Sequence, residues 1–170
     1  MPSLQTSDLI ASGAAIVALF AMLATFWQVK IARDHNKLSV MPHLDAAFYA
    51  FPNEPFRITL FNNGLGPAIV RSFHLSVDDT EYSHVHPVPS DDLRKILEKS
   101  GHNLNLTIVG YGTPIRADAE ITVVQSLAPP ESAQQFTVFK AFGRRLGLRV
   151  VYASLYGDER EMRISFAEFG

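Results

Sequence analysis

The stretch Leu9–Val29, LIASGAAIVALFAMLATFWQV, decides how the chain is read, because no charged residue falls between Asp8 and Lys30. An α-helix rises about 1.5 Å per residue, so these residues reach roughly 31 Å, against a hydrocarbon layer of about 30 Å. Thr6, Ser7 and Asp8 supply capping oxygens for the first turn, and Trp27 sits where an interfacial aromatic belt is expected. A helix apolar on every side suits lipid better than a soluble core, which needs one polar face. A cleaved signal peptide carries its bases ahead of a shorter apolar run, whereas here Lys30, Arg33 and Lys37 follow the run. The expectation is an uncleaved signal-anchor crossing the cell inner membrane once. By the positive-inside rule its N-terminus faces out and its C-terminal domain is cytoplasmic.

The span has two unlike sides. Ala11, Ala14, Ala18, Ala21 and Thr25 recur at three- and four-residue steps, a stripe that Gln28 and Ala32 extend. Ile10, Ile16, Val17, Phe20, Leu23 and Phe26 occupy the other side. Small residues let helices approach closely in lipid, so the stripe is expected to pack on a second copy or on another protein's helix. Past Lys30 the helical pattern runs on through IARDHNK until Pro42 stops it. Lys30, Arg33 and Lys37 in this extension are placed to meet anionic lipid head groups.

From Leu44 onward the period becomes that of strands. Residues 1–37 are therefore read as the transmembrane and juxtamembrane segment, and 38–170 as one soluble domain. The chain holds 17 acids and 15 bases; setting aside Asp8, Asp34, Lys30, Arg33 and Lys37 leaves the domain 15 and 12, a formal charge of −3. That balance gives no footprint for nucleic acid. The absence of cysteine excludes disulfides, thiolate nucleophiles and Cys-ligated zinc.

Leu44, Ala46, Phe48 and Ala50 alternate with their neighbours, and Pro52-Asn53-Glu54-Pro55 turns the chain. Phe56, Ile58 and Leu60 mark the next strand. Asn62-Asn63-Gly64 reads as a tight turn of residues tolerant of positive φ. Ile69, Phe73, Leu75 and Val77 then face one way and Ser72, His74 and Ser76 the other. One short helix is expected after Pro89, capped by Ser90 and ended by Gly101. Further strands are expected at 104–109, 120–125 and 136–139, then a closing hairpin of 146–155 and 161–166 around Tyr156-Gly157-Asp158-Glu159. Seven or eight short strands predict a mainly β fold: an immunoglobulin-like β-sandwich, or alternatively a small β-barrel, with one short inserted helix.

HNKLSVMPHL (35–44), NNGLGPAIV (62–70) and YASLYG (152–157) resemble a pattern in small uncharacterised bacterial membrane proteins. In that family a single N-terminal span precedes a β-sandwich-like domain. The resemblance implies this architecture and brings no activity with it.

Candidate chemistry is sparse. His84 and His86 are spaced to share a strand face, with His74 or His102 as a further zinc or copper ligand, but nothing fixes a third ligand and a polar loop between prolines explains them as well. No metal or other cofactor is expected. No nucleophile elbow, Walker loop or His-Glu-x-x-His helix occurs, and no catalytic residue is assigned. Asp78-Asp79 would point to opposite faces of a strand, and Asp91-Asp92 suits a helix start. Gly110-Tyr111-Gly112-Thr113-Pro114 reads as a corner. Lys140, Arg144, Arg145 and Arg149 form the densest basic run, read as a solvated loop or as a contact for lipid head groups, an acidic partner or nucleic acid. The chain is thus expected to be a non-enzymatic accessory subunit that docks through its helix. A ligand-sensing effector acting by self-association is the alternative, and a hydrolase whose site is assembled from distant residues is the third reading.

Overall fold

A computed structural model describes residues 6–78, 80–84 and 104–168. The chain divides into two units, Met1–Ser39 and Val40–Gly170. The first is one helix, α1, Thr6–Ser39, of 34 residues and about 51 Å. It runs unbroken through the basic extension to three residues before Pro42. Its Leu9–Ser39 portion is long and apolar enough to cross a membrane, and no part of that apolar surface is buried within the chain.

The second unit is two antiparallel sheets around one core. Its strands are β1 (Leu44–Tyr49), β2 (Arg57–Asn62), β3 (Ala68–Val77), β4 (Thr80–His84), β5 (Leu104–Leu106), β6 (Pro114–Ile115), β7 (Glu120–Ser126), β8 (Leu146–Ala153) and β9 (Glu159–Ser165). One sheet runs β1-β2-β7-β5 and the other β4-β3-β8-β9, with β6 added beside the start of β3. Ile58, Leu60 and Val123 from the first sheet meet Phe73, Leu75, Leu148 and Val150 from the second, each at most 1% exposed. Mainly β with one long N-terminal helix is therefore the architecture.

The alternation in β3 follows the sequence from Phe73 to Val77 and fails before it. A bulge between Val70 and Ser72 inserts a residue, so Val70 is buried and Ile69 only partly so. A second bulge, between Ile58 and Thr59, buries Thr59 beside its apolar neighbours.

Four expectations are corrected. Residues 136–139 are not a strand; they lie in helix α2, Ala133–Gly143. Ser132 caps it, its hydroxyl accepting from Gln135 N at 3.2 Å, while Gln135 Oε1 accepts from Glu131 N at 2.6 Å. Phe139 and Phe142, three residues apart, form its buried face. Asn62-Asn63-Gly64 is not a hairpin turn: it carries the chain from one sheet to the other, and none of the three has positive φ. Asp78 lies past the end of β3, at φ 49°, on the way to the unanticipated β4 rather than within a strand, and Asp79 lies outside the described residues. The expected strand 104–109 is shorter, spanning Leu104–Leu106. The helix expected between Pro89 and Gly101 lies outside the described residues.

The domain has two distinct ends. Val40 enters at the proximal end, where β1 starts, β2 ends and β8 turns into β9. Here Asn62, fully buried, holds the chain together. Its Oδ1 accepts from His43 N (3.2 Å) and Gly64 N (3.1 Å). Its Nδ2 donates to the carbonyls of Gly66 (2.8 Å), Ile115 (3.0 Å) and Arg116 (3.1 Å). Asn63 N to His43 O at 2.8 Å and Leu65 N to Met41 O at 3.0 Å complete the attachment. Gly64 and Gly66 are needed for space, since a Cβ on either would strike the backbone of Val40–His43. At the distal end α2 closes the gap between the sheets: Phe56 stacks on Phe139 at 6.0 Å and tilts against Phe48 at 5.5 Å. Phe48 in turn meets Phe166.

Candidate functional site

The outer face of the β4-β3-β8-β9 sheet carries the largest group of interacting charges among the described residues. Because Phe73, Leu75 and Leu148 point into the core, His74, Ser76, Gly147 and Arg149 point out. Strand register lines them up: Ser76 pairs with Glu81 on one side and Gly147 on the other, and Gly147 with Ser165. The adjacent row sets His74 beside Arg149 and Arg149 beside Arg163. The small residues Ser76, Gly147 and Ser165 of the first row, beside the long ones of the second, leave a groove of about 290 Å³. Its far wall is Asp78 with Arg144 and Arg145.

Ion pairs hold both walls. Arg149 grips Glu81 with two nitrogens, Nε at 3.1 Å and Nη2 at 2.8 Å, and Arg163 approaches the same carboxylate at 3.8 Å. Arg145 grips Asp78 in the same two-pronged way. The hydrogen bond from Arg149 lowers the Glu81 pKa, and that from Arg145 lowers the Asp78 pKa while raising the arginine's own. These pairs face solvent, so they set geometry more than stability. His74 differs. Burial, and then the neighbouring Arg149 charge, lower its pKa, outweighing Glu81 and Glu161, and its Nδ1 is buried without a hydrogen-bond partner.

This arrangement corrects the reading of Lys140, Arg144, Arg145 and Arg149 as a solvated loop. Lys140 lies in α2, Arg144 caps that helix, and Arg149 is in β8 with its charge taken up by Glu81. The run also sits at the distal end, the full length of β3 away from Val40. His84 ends β4 opposite Phe73, while His86 and His102 lie outside the described residues. Among the described residues no three metal-ligating side chains come together. Of the two acidic pairs only Asp78 lies among the described residues, and it lines the groove.

On α1, Ala11, Ala14, Ala18, Ala21 and Thr25 are exposed, and Thr25 Oγ1 donates back to Ala21 O at 2.8 Å. Lys30, Arg33 and Lys37 are exposed on its last turns. The three segments behind the family resemblance are structural: 40–44 is laced to 62–66, and Leu44 N donates to Tyr152 OH at 3.4 Å. In the β8–β9 turn, Ser154 Oγ accepts from Tyr156 N at 3.1 Å and Asp158 N at 3.3 Å.

The groove was signalled in part by the polar alternation Ser72-His74-Ser76. Its second wall depends on β4, which brings Glu81 to Arg149 across the single intervening strand β3. No protein-family model, curated protein or solved structure matches the chain.

Proposed function

We propose that the chain is a membrane-anchored, non-enzymatic interaction subunit whose helix docks in a membrane complex and whose β-domain meets a partner. The observation that carries this reading is the uncovered apolar surface of α1: Phe20, Phe26 and Trp27 are 67–72% exposed, while the domain's core is closed on itself. Such surface in water would drive association, and lipid with a neighbouring helix satisfies it. The Ala11-Ala14-Ala18-Ala21-Thr25 face is the side offered to that neighbour, a second copy or a different protein. Lys30, Arg33 and Lys37 favour the inner membrane with the N-terminus out and residues 40–170 in the cytoplasm. The order β1-β2-β7-β5 opposite β4-β3-β8-β9 matches the A-B-E-D and C′-C-F-G order of immunoglobulin-like sandwiches, and supports that finer reading of the domain.

The test is purification of the full chain in mild detergent with mass spectrometry of what accompanies it, set beside the same chain carrying Ala14→Leu and Ala18→Leu. A stoichiometric partner lost from the double variant supports the proposal; an unchanged set of companions refutes helix docking. Reporter fusions at the C-terminus that read outside the cytoplasm would overturn the orientation. A second reading, a ligand-binding effector acting through self-association, is favoured by the groove on the β-domain.

A further inference from the structure

The groove floor is built from three of the smallest outward residues on this sheet, Ser76, Gly147 and Ser165, side by side on β3, β8 and β9. A Cβ at Gly147 would meet Ser76 Oγ, so any side chain there would displace the Ser76 hydroxyl from the floor. The depression therefore follows from the sequence at three positions in register. Around it stand Arg144, Arg145, Arg149 and Arg163, a third of the bases in a domain whose formal charge is −3, against two carboxylates among the described residues that line it, Asp78 and Glu81. A surplus of positive charge concentrated in a concavity attracts anions even where the whole domain is acidic.

We propose that this groove binds a small soluble oxyanion, a carboxylate or phosphate compound, with Arg163 as its principal ligand. Guanidinium forks match carboxylate and phosphate geometry. Arg145 and Arg149 already spend both prongs on Asp78 and Glu81, which fixes the walls. Arg163 approaches Glu81 with one nitrogen at 3.8 Å, its side chain 74% exposed, so its fork can turn onto a ligand without breaking a close pair. Ser76 and Ser165 offer hydroxyl donors from the floor. The volume, about 290 Å³, lies at the small end of ligand sites and suits a compact metabolite. The assignment does not depend on how the chain is anchored, so it stands or falls apart from the interaction-subunit proposal.

The experiment is calorimetric titration of the full chain in non-ionic detergent with inorganic phosphate, pyrophosphate and citrate, at constant ionic strength. Arg163→Glu reverses a charge in the groove. Arg160→Glu makes the same change in net charge on β9 outside the groove lining and serves as control. Ser165→Leu fills the floor without altering charge. At least one anion should bind saturably, about tenfold more weakly to R163E and S165L, with R160E within about twofold of the unaltered chain. Circular dichroism confirms that each variant is folded, and failure of R163E to fold leaves S165L against R160E to decide. Equal weakening by R163E and R160E, or no saturable binding by any of the three anions, overturns the proposal. Binding only to vesicles containing phosphatidylglycerol, with none to free anions, also overturns it and assigns the groove to lipid head groups.

Discussion

The two ends of the β-domain are closed by different physics. At the proximal end one amide side chain, Asn62, serves five backbone groups from three separate segments. At the distal end α2 presses Phe139 and Phe142 onto a cluster of aromatic rings, and no single atom is decisive. Hydrogen bonds are directional and costly to leave unmade, while aromatic packing is strong but forgiving of small shifts. The proximal end, where the chain arrives from α1, thus has one defined path, and the distal end has bulk. Single-atom changes should damage the first most, and volume changes the second.

The largest effect is expected at Asn62. Asn62→Ala removes all five bonds and strands buried carbonyls and N–H groups, which should cost about 4 kcal/mol and lower Tm by more than about 10 °C. Asn62→Asp should be worse, since its carboxylate would face the carbonyls of Gly66, Ile115 and Arg116. Thermal melts of the full chain by near-ultraviolet circular dichroism measure both. An Asn62→Ala variant melting near the unaltered chain would show that the proximal end does not depend on the amide. Phe142→Ala should come second, at about 3 kcal/mol, because the cavity beneath α2 can partly collapse.

Glycines sharpen the contrast. Gly66→Ala drives a Cβ into the Val40 backbone, which is itself tied down by the 62–66 loop. Gly143→Ala meets the ring of Phe48, a side chain able to turn. Both overpack, but Gly66→Ala should cost about 2–3 kcal/mol and Gly143→Ala about 1 kcal/mol. Denaturant midpoints at unchanged m-value read the difference. The reverse order would mean that the distal rings are the stiffer packing.

These regions also show what a sequence can disclose. Helix α1 was legible because its signal is local composition, and its continuation past Lys30 needed only the absence of a breaker before Pro42. The inward residues Phe73, Leu75 and Val77 were legible because period two holds wherever no bulge intervenes. Helix α2 was misread because Phe-Thr-Val-Phe alternates like a strand, although Ser132 and Gln135 carried a capping signal ahead of it. Asn62 was read for its backbone tolerance, whereas its work is done by a buried side chain reaching Ile115 and Arg116, far along the chain. The groove is non-local in the same sense: Glu81, Arg149 and Arg163 lie on three strands, and register alone makes them neighbours.

The smallest expected effect concerns His74, midway between the two ends. Its folded pKa is lowered from the ordinary 6.5, chiefly by burial and then by Arg149, so the unfolded chain holds the proton more tightly than the folded one. Stability therefore falls as pH drops from about 6.5 toward the folded value, and His74 contributes no pH dependence above that window. The carboxylates beside it behave differently: Glu81 and Asp78 have lowered pKa values, so their support is lost only at more acid pH. Replacing His74 with Gln removes the imidazole and keeps a polar side chain. The Tm of His74→Gln should gain on that of the unaltered chain between pH 7 and pH 5, by a few degrees at most. Curves that stay parallel across this interval would mean that the imidazole takes up its proton as readily in the fold as out of it, and that the face around Arg149 tolerates a further positive charge.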